Sequence, residues 1–378
     1  MKIKSLLASI SLMLLLSTSC VRQQLEEVIY TKALIPVLID WETKALMYVD
    51  NDPDQDLYSA SVWLFPTAES RYQGDPLEYK LSDPECGYIE VPVGVYDVLI
   101  FNKTTGDYTS SVGFRGTDSF DTFEYYTNVS SKSSLFTSVV DDDFSAEPDL
   151  LAAWTFEDGG KLTVTYEEIL YYEKIAAVKT LLTKADDPAT KATAADFAEF
   201  PEELKQLLNV VPERVVHNVT IEERLHNLHS ASVAQANLRG MSHSVLLASR
   251  KYSTTTMPYV VTFTNKYLDY YGSDCDMMSG STNVIGLPSQ SSSYSVETRF
   301  SLIDTYDGTT YWPLVPSTGY FYDVSDQVNN AEIGLDKALW ITLYYCDGDP
   351  ILPDLDPSNS GGFDVGVNDW DEPIIIPL

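Results

Sequence analysis

Cysteine is scarce in this chain. Its 378 residues hold four, Cys20, Cys86, Cys275 and Cys346, and no two form a CxxC pair. That removes thiolate zinc sites and a dense disulfide framework from consideration. Cations are short as well: 24 Lys and Arg face 56 Asp and Glu, a formal charge of −32. Phosphate contacts are made by Lys and Arg, so nucleic acid and anionic lipid head groups are poor partners for such a field. Histidine occurs only four times, with no HExxH pair, no GxSxG elbow and no glycine-rich phosphate loop. No zinc hydrolase, serine hydrolase or nucleotide-binding enzyme is indicated, and no cofactor is implied. Long apolar runs are missing except for one near the start.

That run lies in MKIKSLLASISLMLLLSTS, where Lys2 and Lys4 precede an uncharged stretch from Ser5 to Ser19. A basic start, a short apolar centre and small residues at the end are the layout of a secretory signal, too short for a permanent membrane span. Cys20 directly follows Ser17, Thr18 and Ser19, which resembles the lipobox of bacterial lipoproteins. Residues 1–19 are therefore expected to be removed, Cys20 to carry acyl chains, and residues 20–27 to form a tether. Each buried CH₂ of an acyl chain contributes ~0.8 kcal/mol, so several chains hold a protein on a membrane without a spanning helix.

Beyond the signal, 44% hydrophobic content and this length support two or three domains with sizeable cores. Period-two patterns dominate. In YSVETRFSLID, Tyr294, Val296, Phe300 and Leu302 alternate with polar residues, as a half-buried strand requires. The runs LIPVLIDW (34–41), SVWLFP (61–66), GVYDVLIFN (94–102), PYVVTFTN (258–265) and LWITLYYC (339–346) are apolar on both faces or nearly so, which suits central strands. Turn formers such as Asp158-Gly159-Gly160 and Asp347-Gly348 separate them. Recurring strands without long helices between them predict an all-β chain built of β-sandwiches. RVVHNVTIEERLHNL (214–228) reads as a further strand, with Val215, Val219, Ile221 and Leu225 on one face.

One stretch breaks the pattern. Ala and Thr dominate after Leu181, and Phe197, Phe200, Leu204, Leu207 and Leu208 then recur at helical spacing. This predicts a linker over 176–212 with a short helix starting near Pro201. It divides an N-terminal β-sandwich, 28–175, from a C-terminal one, 213–378.

Candidate sites are few. His226 and His229 form HNLH, but residues three apart on a strand face opposite ways, and His217 and His243 stand apart from them. Ser242 precedes His243 in GMSHS without the second glycine of an elbow. Asp50, Asp52, Asp54 and Asp56 alternate in DNDPDQD, as hard oxygen ligands of Ca²⁺ would. The loop lacks a Gly at position six and has Ser61 where a closing Glu belongs, so it reads as a solvated acidic loop. DGDPILPDLD (347–356), with Asp347, Asp349, Asp354 and Asp356, reads the same way. Cys86, Cys275 and Cys346 are read as free thiols, although Cys275 and Cys346 would pair if the fold joined them. The doublets Tyr125-Tyr126, Tyr171-Tyr172, Tyr270-Tyr271 and Tyr344-Tyr345 put adjacent rings on opposite faces of any strand, so one of each pair is free for a sugar or a protein unless it packs.

Cys20, VLIDW (37–41), VWLFP (62–66), VPVGVYDVLIFN (91–102), EPDLL (147–151), LRGMSHSV (238–245) and GGFDVGVNDWDEPIIIPL (361–378) together resemble the fimbrillin-like surface lipoproteins of Bacteroidales, the superfamily of type V pilus subunits and anchors. The resemblance implies two tandem transthyretin-like Greek-key sandwiches, lipid-anchored at the outer membrane and displayed on the cell surface. Polymerising members are cut by an Arg- or Lys-specific protease after the first strand. The corresponding loop here, 42–56, holds Lys44 and no Arg, which favours an anchor, an accessory subunit or an adhesin over a polymerising subunit. The closing strand, Phe363 to Val367, is expected to complete the chain's own second sandwich. The expectation is thus a non-catalytic surface protein whose partners are its membrane, fimbrial subunits or molecules on host or neighbouring cells. The alternative is a surface glycan-binding lipoprotein that stacks sugars on exposed Tyr and Trp.

Overall fold

The computed structural model describes residues 32–45, 57, 59–130, 135–136, 143–165, 208–268, 275–286, 293–302, 311–313, 322–331, 338–347 and 351–354. Cys20, the aspartates at 50–56, Asp349, Asp356, Tyr171-Tyr172, Tyr270-Tyr271, the helix expected near Pro201 and the closing segment lie outside the described residues.

The chain is all-β, as its alternation predicts. Its first half supplies β1 (Lys32–Ile39), β2 (Ala60–Pro66), β3 (Leu77–Leu81), β4 (Cys86–Pro92), β5 (Gly94–Asn102), β6 (Val112–Arg115), β7 (Glu124–Thr127), β8 (Ala152–Thr155), β9 (Leu162–Val164), β10 (Leu208–Val210) and β11 (Glu213–Arg214). The second half supplies β12 (Val216–Leu225), β13 (Ala231–Arg239), β14 (Ser244–Leu246), β15 (Lys251–Tyr252), β16 (Tyr259–Thr262), β17 (Asn265–Tyr267), β18 (Asp276–Ile285), β19 (Ser295–Leu302), β20 (Tyr311–Pro313), β21 (Tyr322–Asp323), the short helix α1 (Ser325–Asn329) and β22 (Ala338–Tyr344).

Two sheets form the first sandwich, one ordered β10-β1-β4 and one ordered β11-β8-β5-β2-β3 with β9 also on β5. The last residues of the expected linker and those just after it instead return to the first half before the chain enters the second: β10 runs parallel to β1, and β11 pairs with β8. The second sandwich faces β17-β18-β12-β22 against β16-β13-β19-β20, with β21 also on β19. A fifth sheet, β15-β14-β7-β6, takes two strands from each half, joined through Ser244 to Leu246 against Glu124 to Tyr126.

Three cores follow from these layers. Val98 and Ile100 of β5 point into the first sandwich with Val62 and Leu64 of β2. Leu99, Phe101 and Phe65, on the other face, pack against Tyr125, Val245 and Val216 in a core under the shared sheet. That is why VWLFP and YDVLIFN are apolar on both faces: their sheet is the middle of three layers. Burying each such large side chain is worth about 1.5–3 kcal/mol. The third core, around Ile221, Leu238, Phe300 and Ile341, fills the second sandwich.

Two expectations are corrected. The strand expected over 214–228 ends at Leu225, because Asn227 adopts a left-handed conformation (φ 61°) and Leu228–Ser230 form a 3₁₀ turn whose Leu228 N–H is held by Asp276 Oδ2 at 2.8 Å. Asn tolerates that region better than most residues. Cys275 and Cys346 are not free thiols but form a disulfide, with Cα atoms 5.9 Å apart. The two strands that flank β12 bring them together: Asp276 registers with Leu225 and Tyr344 with Arg224, so the residues just outside both strands meet at one end of the sheet. Cys86, at the start of β4, is buried, and its Sγ donates to Asp83 Oδ2 at 3.4 Å.

Candidate binding face

The sheet β17-β18-β12-β22 has a packed back and an open front. Along β22, Leu339, Ile341 and Leu343 enter the core, so alternation turns Trp340, Thr342 and Tyr344 outward. Trp340 is 59% exposed and Tyr344 55%. Four residues apart on one strand, their backbone positions are about 13 Å apart.

Register extends the face into rows. Trp340 lies beside Thr220 of β12, which faces Ser281 of β18. Thr342 lies beside Glu222, then Ser279 and Asn265. Tyr344 lies beside Arg224, then Met277 and Tyr267, which is 48% exposed. At the centre Arg224 donates from Nε and Nη2 to Glu222 Oε1 at 2.9 and 2.7 Å, a charge-assisted pair that leaves the face without net charge there. Amides and hydroxyls link the neighbouring positions: Thr220 Oγ1 donates to Asn218 Oδ1 at 3.3 Å, and Asn265 Nδ2 to Ser279 Oγ at 3.4 Å.

The disulfide staples the Tyr344 end of this face, tying the start of β18 to the residue pair after β22. His226 Nε2 lies 3.2 Å from the carbonyl of Cys346 at the same corner. The strand edge is closed at its middle: Gln327 of α1 donates from Nε2 to the Thr342 carbonyl at 2.9 Å and accepts from the Thr342 N–H at 2.8 Å.

The histidines do not converge. His229 Nε2 meets Asp354 Oδ1 at 2.9 Å, His217 Nε2 lies 3.3 Å from the Tyr252 hydroxyl, and His243 Nδ1 donates to the Thr255 carbonyl at 3.1 Å. Ser242 donates to the Ser253 carbonyl at 2.7 Å, away from His243's partner. Of the aromatic doublets, Tyr125 is buried beside a half-buried Tyr126, while Tyr344 is exposed and Tyr345 packs against the third core. Lys44, in the loop where the resemblance places cleavage, forms an exposed ion pair with Glu213 at 2.8 Å.

Sequence reasoning overlooked Glu223. It shares the inward face of β12 with Ile221 and Leu225 and is fully buried. Oε1 accepts from Thr298 Oγ1, and among the described residues Oε2 has no partner. Burial pushes its carboxyl up to about 8, so it is neutral at pH 7. Parity was the available signal: in the doublet Glu222-Glu223, one carboxylate must share the face of Ile221.

A family model described as a domain of unknown function (DUF5119) matches residues 19–263. No curated protein matches the chain. Among solved structures, a candidate adhesin from Bacteroides ovatus is 14% identical with a TM-score of 0.49, over 85% of this chain and 95% of that one. A candidate adhesin from Bacteroides thetaiotaomicron is 7% identical with a TM-score of 0.44, over 84% and 92%. The fimbrial anchor protein Mfa2 from Porphyromonas gingivalis is 9% identical with a TM-score of 0.41, over 83% and 90%. At these scores the likenesses carry no argument about what the chain does.

Proposed function

The chain belongs to the DUF5119 family, and since that membership carries no assigned activity, we propose from its own residues that it is a non-catalytic, adhesin-like protein of the cell surface. In this reading the signal over 1–19 is removed and Cys20 is lipidated at the outer membrane. Residues 20–27 tether a first sandwich that β10 and β11 complete, and the second sandwich, from β12 onward, makes the contact. Its role is that of a fimbrial anchor or accessory subunit or a free-standing adhesin, with fimbrial subunits or molecules of host and neighbouring cells as partners. Among the described residues no helix is long and apolar enough to cross a membrane.

The observation that supports the reading is the open front of β17-β18-β12-β22. Trp and Tyr are the residues that dominate contact energetics. Here they stand outward on a sheet whose back is fully packed and whose end is cross-linked, so little ordering is needed on binding. Beads coated with the full mature chain should adhere to cultured host or neighbouring bacterial cells, and the Trp340→Ala/Tyr344→Ala variant should lose most of that adhesion. Equal adhesion by the two proteins would reject the face as the contact surface. Cys20→Ala should move the protein from the membrane fraction to the soluble one. Retention in membranes after a carbonate wash would reject the anchor.

A further inference from the structure

We propose that the open front of β17-β18-β12-β22 is a carbohydrate-binding site that takes neutral glycan; the inference rests on the adhesive reading above and names its ligand class. A pyranose presents an apolar C–H face and a rim of hydroxyls that both donate and accept. The front matches both parts. Trp340 and Tyr344 offer ring faces that, among the described residues, stack on no other ring, while Thr220, Thr342, Ser279, Ser281 and Asn265 lie between and beside them as hydroxyls and an amide. Few, placed polar groups among aromatic ones are the make-up of small-molecule sites.

Charge narrows the class. Among the described residues the acid and base in the centre of the face, Glu222 and Arg224, are bonded to each other, so the pair offers an acceptor and donors to hydroxyls without demanding a charged ligand. The chain around it carries −32, a field that repels sialylated, uronic or sulfated sugars. Neutral glycan is what remains.

The geometry also argues against a peptide. An extended segment would add to the free side of β22 through main-chain bonds, but the N–H and carbonyl of Thr342 are both taken by Gln327. The core of a protein interface is depleted in Glu, whereas the carboxylate of Glu222 lies at the centre of this face between the two rings' rows.

The test uses the full mature chain on an array of neutral oligosaccharides with their sialylated and sulfated counterparts as probes, beside bead adhesion to cells treated with periodate or with protease. The chain should retain neutral glycans, with Trp340→Ala and Tyr344→Ala each weakening retention about tenfold or more and Trp340→Phe keeping most of it. Periodate treatment of the cells, which cleaves vicinal diols, should abolish adhesion, and protease treatment should spare it. Binding of acidic glycans at least as tight as of neutral ones would overturn the inference, as would retention unchanged in the Trp340→Ala/Tyr344→Ala variant. Adhesion that depends on Trp340 but survives periodate and fails after protease would overturn the carbohydrate inference while leaving the adhesive reading standing. Absence of adhesion to any cells, with neutral glycans still retained on the array, would do the reverse.

Discussion

The second sandwich has two outer faces, and they are treated in opposite ways. On the β13-β19 side, alternation turns Gln235, Asn237, Glu297 and Arg299 outward, yet Asn237 and Glu297 are buried. Leu135 and Phe136 of the first half lie over their neighbours Gln235 and Arg299. The Leu135 N–H is held by Gln235 Oε1 at 2.7 Å, the Arg299 guanidinium sits 5.0 Å above the Phe136 ring, and Phe136 packs beside Phe144. On the β12-β22 side the sheet itself brings the aromatics, and they stay exposed. Rings alone therefore do not mark a contact surface. Phe136 serves its own fold as part of a lid, whereas Trp340 and Tyr344 are left with open faces.

The sharpest test of that contrast is a pair of truncations. Phe136→Ala removes a fully buried ring and should cost about 3–5 kcal/mol, read as a lower melting temperature with exposure of the β13-β19 face to amide exchange. Trp340→Ala should stay within about 0.5 kcal/mol of wild type, as substitutions at exposed positions do. Equal losses would mean that the two faces are covered alike. The next largest effect belongs to the staple. Replacing Cys275 and Cys346 by Ser opens a link between residues 71 apart and should cost about 2–4 kcal/mol. Mild reduction of the wild type should reproduce the loss, and amide exchange should rise first near Tyr344 and Met277 if the staple steadies the open face.

What was legible in the sequence follows from how far each feature reaches along the chain. Alternation is local, so the strands and the all-β class were readable. Apolarity on both faces signalled strands buried on both sides at β2 and β5 but misplaced β22, which reads as a central strand and, among the described residues, is an edge strand with Trp340, Thr342 and Tyr344 outward. The shared sheet was not, because pairing Tyr126 with Ser244 depends on contacts that no window of residues contains. The same holds for the disulfide, whose partners meet only after β18 and β22 take their places beside β12. Asn227 ended β12 early through a single left-handed residue, which the apolar period does not register. The cover of Gln235 and Arg299 depends on where the fold puts Leu135 and Phe136, and no local pattern announces it.

Glu223 bears on the core behind the open face, and its effect varies with pH. In the folded chain its carboxyl titrates near 8, against 4.5 ordinarily, because burial disfavours the charge; Thr298 donates to it and Tyr345 lies nearby. Below pH 4.5 both folded and unfolded states hold the proton. Between 4.5 and 8 only the folded state does, so stability falls as pH rises, by roughly 1.4 kcal/mol per unit at the steepest. Above 8 the loss is complete. Glu223→Gln should flatten this dependence: the drop in melting temperature from pH 5 to pH 8 should be smaller than in wild type. An unchanged drop would show that other groups set the pH response of this sandwich.

The smallest effect concerns the edge of the open face rather than the face. A bare strand edge is a template for pairing with another chain, and native proteins blunt it with side chains or covering elements. β22 is blunted at its midpoint, where the Gln327 amide occupies both the N–H and the carbonyl of Thr342. Gln327→Ala removes two hydrogen bonds at an exposed site, each worth about 0.5–1.5 kcal/mol at most, and water replaces them in the mutant. The melting temperature should therefore change little. Association should change more, because Thr342 is then free to pair while Trp340 and Tyr344 on the adjoining face add apolar contact. Sedimentation velocity across a range of protein concentrations should show a monomer for the wild type and a concentration-dependent dimer for Gln327→Ala, and adding Thr342→Pro should return the monomer by removing the N–H. If Gln327→Ala stays monomeric at every concentration, the edge is protected by something other than this amide, and the closed edge no longer separates a ligand that lies on the face from one that extends the sheet.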